Sequence, residues 1–260
     1  MANLAKAPLV ELVTEIRWDD PELLEVSSGI IEPSRVWSNR LDELHLAFGA
    51  RARSAGFTKT QRAYPSEAPV LGRRVVHRYR NPTDSTLYQI GPGMFAANAS
   101  PPYTSWTHFR PTVEQGVKLF LEALEEVYDP PFRAHSVCVR YIDAFSEEHT
   151  GGPNLMRFFR EDLKFGLRLP SCFDGLVKNE ERAKPRLDIS AAIDDVRNFF
   201  FVIGSGSING KDSVIMESYV TTDIQGPLQQ ETLISELDRA QTLTSDFFMA
   251  MIKDIEERFK

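Results

Sequence analysis

Apolar and polar residues alternate over residues 8–18, close to the start of the chain. One face of this segment is apolar and comprises Val10, Leu12, Ile16 and Trp18. The other face carries the charged residues Glu11, Glu15 and Arg17. Alternation with a period of two residues is typical of a β-strand with one buried face. We therefore expect a half-buried strand here.

Two segments in the first half instead repeat apolar residues every three or four positions, which predicts amphipathic helices. The first follows Pro33, a residue that the first turn of a helix tolerates, and ends at Gly56. Its apolar face comprises Trp37, Leu41, Leu44 and Phe48. The second starts at a capping box of Thr112 and Gln115 and stops at Asp129-Pro130-Pro131. Its apolar face comprises Val113, Val117, Phe120, Leu121 and Leu124.

Strand patterns separate these two helices and return in the second half of the chain. In the first half they cover residues 69–80 and 85–100, and a tight turn at Gly91-Pro92-Gly93 is expected to split the second run. In the second half they cover residues 135–145, 187–193, 199–205 and 213–222, with a hairpin turn at Asn209-Gly210. A short helix over 154–165, a mobile loop over 178–185 and a long helix from Gln230 complete the pattern.

Each half therefore has the element order β-α-β-β-β-α, and a repeated order favours an internal duplication. The predicted fold class is α+β, with two pseudo-repeated halves whose antiparallel sheet is covered by helices. We place the first repeat at residues 1–130 and the second, which includes the long C-terminal helix, at residues 131–260. A chain of 260 residues can bury a large core without a metal or a disulfide.

The predicted C-terminal helix has an apolar stripe over residues 233–259. An α-helix of that length extends about 39 Å, whereas a sheet of four strands is only about 19 Å across. The helix should therefore cross a sheet shared by both halves or extend its phenylalanine-rich end to a second chain. In the second case Phe248, Ile252 and Phe259 would contact a homodimer partner or another protein, because apolar patches are rarely left bare.

Composition narrows the class of protein. With 42% hydrophobic and 26% charged residues, the chain has the balance of a protein with a packed core and not that of a disordered or fibrous one. No run approaches the roughly eighteen apolar residues of a membrane helix, and no apolar signal core follows Met1. The two cysteines, Cys138 and Cys172, cannot staple a fold of this size. We expect no membrane association and a cytoplasmic location.

No motif predicts a specific chemistry. The segment 204–211 lacks the glycine and hydroxyl positions of a phosphate loop, and a strand follows it in place of a helix. The five histidines are scattered, with no partner at metal-ligand spacing. Glu11 and Glu15 lie about 13 Å apart along one strand, too far for a pair of catalytic carboxylates. No catalytic residue, metal or cofactor is predicted.

The charge distribution singles out one region. Residues 51–80 hold eight basic side chains against one acid, Glu67, whereas the whole chain has a net charge of −7. Arginine binds phosphate and carboxylate groups with paired hydrogen bonds, so this region is the candidate anion or nucleic-acid site. The candidates are Arg74, Arg78 and Arg80, which share one face of a strand, and Arg51 and Arg53. The alternative is that they pair with surface acids, notably Glu11 and Glu15.

A second candidate is the aromatic cluster of Tyr103, Trp106 and Phe109. Tyr103 and Trp106 are suited to stack on a base or another ring. The alternative is that they anchor the core between a sheet edge and the following helix. The first interpretation predicts an exposed platform, and the second predicts buried rings.

Three segments give the chain a family resemblance. They are APLVE through EIRW at residues 7–18, YQI through MFAAN to Tyr103 and Trp106, and VRYID at residues 139–143. The chain resembles a sporadically distributed, uncharacterised prokaryotic protein family with an N-terminal "APLVEAVFEIRF"-like motif. It departs from that pattern at Met94, where arginine is expected, and at Asp143, where asparagine is expected. The resemblance implies a bacterial or archaeal cytoplasmic protein with an accessory or defence-associated role, and it supplies no catalytic residue.

These patterns favour a non-enzymatic binding or interaction protein that recognises an anionic ligand, nucleic acid or a protein partner across its sheet surface. The alternative is an enzyme that acts on an anionic substrate in a pocket between the two halves, with acids such as Glu11 and Glu15 near the arginines. An enzyme should show a closed cavity with converging groups of displaced pKa, whereas a binding module should show an open face.

Overall fold

A computed structural model of the chain describes residues 4, 6–18, 40–63, 74–83, 85–103, 105–128, 132–152, 154–168, 170–173, 183–208 and 210–260. Several predicted features lie outside these residues. They are Pro33 and Trp37 of the first helix, residues 69–73 of the predicted strand, the Asp129-Pro130-Pro131 stop, residues 178–182 of the predicted loop, and Asn209.

Nine strands in the described part of the chain form one antiparallel sheet. In chain order they are β1 (Leu9–Trp18), β2 (Lys59–Arg62), β3 (His77–Arg80), β4 (Thr86–Gly91), β5 (Met94–Ala99), β6 (Arg133–Phe145), β7 (Arg186–Ala192), β8 (Arg197–Ile208) and β9 (Lys211–Pro227). Their order across the sheet is β2-β3-β4-β5-β1-β6-β9-β8-β7. Because β1 pairs with β6 at the centre, the two halves of the chain share a single sheet.

The helices pack on one face of this sheet. They are α1 (Arg40–Ser54), α2 (Trp106–Val127), α3 (Glu147–Thr150), α4 (Leu155–Arg157), which continues as a π-helix (Phe158–Asp162), and α5 (Gln230–Ile252), which continues as a 3₁₀-helix (Lys253–Phe259). We call the sheet face under α1, α2 and α5 the helix face; on β1 it carries Leu12, Thr14, Ile16 and Trp18. The opposite, outer face carries Glu11, Val13, Glu15 and Arg17. No helix of the described residues is long and apolar enough to cross a membrane.

The core under the helices has two parts. The first joins β1 to α1, α2 and the start of α5, and it includes Leu12, Phe48, Phe120 and Leu237. The second joins β6, β8 and β9 to the π-helix and the C-terminal 3₁₀-helix, and it includes Phe145, Phe159, Phe201 and Phe259. Helix α5 contributes side chains to both parts and lies over β6 and β9, in a sheet that the two halves share.

The phenylalanine-rich end of the chain turns back into the second part of the core. Ile252 and Phe259 are fully buried there, and the half-buried Phe248 ring lies 6.4 Å from the rings of both Phe145 and Phe259. The side chains predicted to contact a partner are therefore used inside the chain. Ile252 and Phe259 present no surface to a second protein.

Several elements differ from their predictions: β3 begins only at His77, the short helix α3 was not predicted, and α2 and β2 differ for reasons that the structure shows. Helix α2 begins at Trp106, not at the Thr112 capping box, and Pro111 lies inside it. Burial of Trp106 and Phe109 against the core accounts for the earlier start, because tertiary packing outweighs a local capping signal. The short strand β2 was not predicted, since its four exposed polar residues have no apolar alternation. It is held by backbone pairing with β3.

Candidate functional site

A cavity of about 230 Å³ opens on the outer face of the sheet, across the central strands. It is lined by residues from four neighbouring strands: Glu15 and Arg17 of β1, Ser136, Cys138 and Arg140 of β6, Tyr219 and Thr221 of β9, and Phe200 of β8. Glu15 was named, with Glu11, as an acid of the alternative enzyme pocket, and the other seven lining residues were not predicted to belong to a site. The cavity is therefore the site that the structure adds to the sequence analysis.

Side-chain size along the pairing register explains the cavity. Cys138 lies between Glu15 on β1 and Thr221 on β9, and the neighbouring Ser136 lies opposite Arg17. Small side chains in the middle of the sheet thus form a floor between larger ones, because residues on adjacent strands that share a face stand side by side. The hydroxyl groups of Ser136 and Thr221 place polar atoms on that floor.

An aromatic pair forms one wall. The rings of Phe200 and Tyr219 are stacked, with centroids 4.7 Å apart and an interplanar angle of 12°. The Arg140 guanidinium lies over the Tyr219 ring, 4.8 Å from its centroid. Phe200, Tyr219 and Arg140 are all half-buried, so part of each side chain stays accessible to solvent. Because Arg140 of β6 and Phe200 of β8 stand on either side of Tyr219, they cover the two faces of its ring. The wall therefore offers a ligand the Phe200 ring and the Arg140 cation.

Each arginine of the cavity has a carboxylate partner. Arg140 Nη1 lies 3.1 Å from Glu217 Oε1, and Arg17 Nε donates a hydrogen bond to Glu15 Oε1. Arg140 Nε is buried and has no hydrogen-bond partner. A buried donor without a partner is costly. The two ion pairs therefore leave the site close to neutral, while one guanidinium N–H still lacks an acceptor.

The Cys138 thiol does not have the properties of a nucleophile. Burial raises its pKa to about 12, and this effect outweighs the opposing influence of Arg140. The reactive form of cysteine is the thiolate, so this side chain remains a protonated thiol at neutral pH. Cys138 shapes the cavity floor and supplies no attacking group.

The predicted arginine site is not assembled as one surface. Arg78 and Arg80 are half-buried on the outer face of β3, opposite Gln89 and Leu87 of β4, and Arg74 is exposed just before that strand. Val76 does not lie on the face between them. It is fully buried in the core, and the next residue, His77, is also buried, so the alternation breaks here.

The two helical arginines lie on the opposite side of the sheet. Arg51 of α1 pairs with Glu126 of α2 at 2.6 Å, and Arg53 is exposed on α1. The predicted acid partners also have other contacts: Glu11 accepts a hydrogen bond from Asn98, and Glu15 pairs with Arg17. The described contacts therefore match neither prediction in full: the arginines do not form one anion site, and they do not pair with Glu11 and Glu15.

The aromatic candidates of the first half are core residues. Trp106 is 7% exposed, and its Nε1 donates a hydrogen bond of 2.8 Å to Asp238 Oδ1 of α5. Tyr103 packs against the first part of the core and shares a hydrogen bond with Tyr141. Both therefore lie on the helix face, and the rings that line a cavity are Phe200 and Tyr219 instead.

Two ionisable groups are buried on the helix face. Burial raises the pKa of the Asp143 carboxyl to about 7, and its Oδ2 atom has no hydrogen-bond partner. Burial, assisted by His45 and Arg62, lowers the pKa of His77 to about 3. The His77 ring stacks on His45 of α1, with centroids 3.4 Å apart. Neither group lines the outer cavity.

Pairing across strands explains why the sequence did not predict the cavity. Its residues come from positions as far apart as Glu15 and Thr221, and their proximity depends on the register of β6 with β1 and β9. A one-residue slip of register would move these side chains to the other face. The usable signal was the alternation in 136–140 and 217–221, which places polar or aromatic side chains on one face of the strand and apolar core side chains on the other.

No group of three or more metal-ligating side chains occurs among the residues that the structure describes. The family resemblance of the sequence and the cytoplasmic location stay predictions. No protein-family model and no curated protein matches the chain.

Proposed function

We propose that the protein is a non-enzymatic binding module that takes a planar, anionic ligand into the cavity on the outer face of its sheet. One observation carries this proposal: the stacked Phe200 and Tyr219 rings stand beside Arg140 at the edge of a cavity with a floor of small side chains. The ligand class that fits is a nucleotide or a short single-stranded nucleic acid.

The chemistry of the wall supports this ligand class. Aromatic side chains on the open face of a sheet are a common platform for unpaired bases, because every base has a π-face. Arginine complements phosphate oxygens with a planar set of donors. The site thus offers a ring partner and an anion partner within one cavity.

The charge of the chain limits the size of the ligand. A net charge of −7 opposes the long-range attraction of a polyanion. Glu15, which lines the cavity, offsets Arg17, and Glu217, outside the cavity lining, offsets Arg140. These charges favour a single nucleotide or a few linked nucleotides over a long duplex.

The positions of the displaced pKa values favour binding over catalysis. A catalytic site usually brings such groups together in a cleft. Here Asp143 and His77 are buried on the helix face, whereas the pKa values of the cavity residues Cys138, Arg140 and Tyr219 are all raised, so each of these three keeps its proton at neutral pH. The enzyme alternative would require a different set of groups at this cavity.

The test is a binding titration of nucleoside monophosphates and short single-stranded oligonucleotides, followed by calorimetry. Phe200→Ala should weaken binding about tenfold or more, since stacking contributes roughly 1–3 kcal/mol per base. Arg140→Ala should have a similar effect and should reduce the salt dependence of oligonucleotide binding. The exposed Arg53→Ala on α1 is the matched control. Absence of binding by every probe, or equal binding by all variants, would overturn the proposal.

We also propose that the two halves are pseudo-repeats. The supporting observation is the strand order from the centre outwards, which is β1-β5-β4-β3 on one side and β6-β9-β8-β7 on the other. Residues 7–128 should superpose on residues 134–260 in a crystal structure, with Val10–Trp18 matched to Ser136–Phe145 and β5 on β9. A best superposition that matches other strands would contradict the duplication.

A further inference from the structure

The two edges of the sheet differ in how they are protected. Edge β2 has four exposed residues, of which Lys59 and Arg62 are charged. Edge β7 has seven residues, six of them exposed, and it contains no proline or lysine. Exposed edge strands invite pairing with another chain, and short length and charge are common ways to prevent it. Both edges carry two charged residues, Lys59 and Arg62 on β2 and Arg186 and Asp188 on β7, so the difference between them is that β2 is short and β7 is longer.

Exposed apolar side chains cluster at the β7 edge. Among the described residues, four large hydrophobic side chains are exposed, and three of them lie on β7 or the turn that follows it. These are Ile189 at 42%, Ile193 at 43% and Val196 at 37% exposure. Single exposed hydrophobic residues need no explanation, but a cluster on a sheet edge marks an interaction surface.

The hydrogen bonds of the β7–β8 hairpin show which backbone groups of β7 are not used by β8. The Ile193 N–H donates to the Arg197 carbonyl at 2.8 Å, in line with the register of β7 against β8. Hydrogen-bonded pairs alternate along antiparallel strands. The N–H and C=O groups of Asp188, Ser190 and Ala192 therefore point away from β8, towards the open edge.

We infer that β7 pairs with β7 of a second copy of this chain, antiparallel about a two-fold axis at Ser190. This register brings the outward backbone groups of Ser190 opposite those of its copy, as an isologous interface requires. On the helix face it places Leu187 opposite Ile193 and Ile189 opposite Ala191.

Charge does not contribute to this register. Asp194 lies in the turn after β7 and bonds Arg197 at 2.8 Å on the helix side, whereas Arg186 lies beside Gly204 on the outer face. The proposed contact between copies therefore rests on the outward backbone groups of β7 and on the apolar pairs of the helix face.

The test compares Ser190→Pro with Ser190→Ala in the full chain by analytical ultracentrifugation over a wide concentration range. Ser190→Pro removes an N–H that faces the open edge and leaves the bonds to β8 intact, a position where a strand tolerates proline. Wild type and Ser190→Ala should associate to twice the 29.5 kDa chain mass. Ser190→Pro should weaken the dimer at least about tenfold, because symmetry removes two interchain hydrogen bonds.

A second variant separates loss of the dimer from misfolding of the Ser190→Pro chain. Ile189→Lys places a charge at the apolar side of the edge and should also yield a monomer. Both monomeric variants should retain the circular dichroism of the wild type. A wild-type chain that stays monomeric at high concentration would overturn the inference, as would a dimer that Ser190→Pro and Ile189→Lys leave unchanged.

Discussion

The two faces of the central strands β1 and β6 carry different kinds of residue at adjacent positions. On the helix face Ile16, Val137 and Val139 are buried in the core. One residue along, on the outer face, Glu15, Cys138 and Arg140 line a cavity. Since successive residues of a strand point to opposite faces, the same backbone supports packing on one side and recognition on the other.

This difference separates stability from binding at the level of single residues. Helix-face substitutions should change the free energy of unfolding, and outer-face substitutions should change ligand affinity. The predictions below test this separation, beginning with the largest expected change.

Trp106→Ala should be the most destabilising of these substitutions. It removes a large ring that is 7% exposed, together with the hydrogen bond to Asp238. The expected cost is about 3–5 kcal/mol of unfolding free energy. Trp106→Phe keeps most of the ring and should cost less, which urea denaturation can measure. A stable Trp106→Ala protein that has lost ligand binding would instead support the stacking-platform interpretation.

Asp143→Asn should stabilise the protein above neutral pH. The pKa of Asp143 is raised from 3.8 to about 7, so the folded state holds a proton that the unfolded state has released. The stability that this group contributes is therefore complete below pH 3.8 and is lost as the pH rises to about 7. The slope is about 1.4 kcal/mol per pH unit. Equal stability of variant and wild type at pH 8 would show that the buried carboxyl has partners.

His77→Phe should change the pH dependence in the opposite sense. The pKa of His77 is lowered from 6.5 to about 3, so its contribution to stability is complete above pH 6.5 and is lost as the pH falls. Between about pH 4 and pH 6.5 the effects of His77 and Asp143 oppose each other in the wild type. Stability should fall with rising pH in His77→Phe and rise with pH in Asp143→Asn. Parallel curves for both variants would refute this.

Arg140→Ala on the outer face should lower the free energy of unfolding less than a substitution in the core does. Arg140 is half-exposed and contacts Glu217 and Tyr219, so its loss should cost no more than about 1 kcal/mol. Val139→Ala, one residue away, empties a fully buried position and should cost about 2 kcal/mol. Thermal denaturation of the two variants compares adjacent positions directly. Equal losses of stability in the two variants would contradict the assignment of stability to the helix face and of binding to the outer face.

Local pattern was sufficient for most of the fold. Alternation predicted β1, and the glycines of Gly91-Pro92-Gly93 predicted the turn between β4 and β5, where Gly93 adopts a φ of 58°. Period and turn chemistry depend on neighbouring residues, so they can be recognised without knowing the rest of the structure. The polar strand β2 had no such pattern, and its position depends on the backbone of β3.

The cavity could not be predicted in the same way. Arg140 and Tyr219 are far apart in sequence, and only the pairing of β6 with β9 sets them opposite each other. The arginine-rich region was visible in the composition, but charge density along a chain does not show which face receives each side chain. Arg51 lies on the helix side and Arg78 on the outer face for this reason.

The most direct test of the central claim is a chemical-shift map of the isotopically labelled full chain titrated with a nucleoside monophosphate. We predict that the perturbed amides cluster on the outer face, at Ser136, Cys138, Arg140, Phe200, Tyr219 and Thr221, while Val137 and Val139 on the helix face change less. Perturbations centred on α1 around Arg51 and Arg53, or no saturable perturbation at all, would contradict the account.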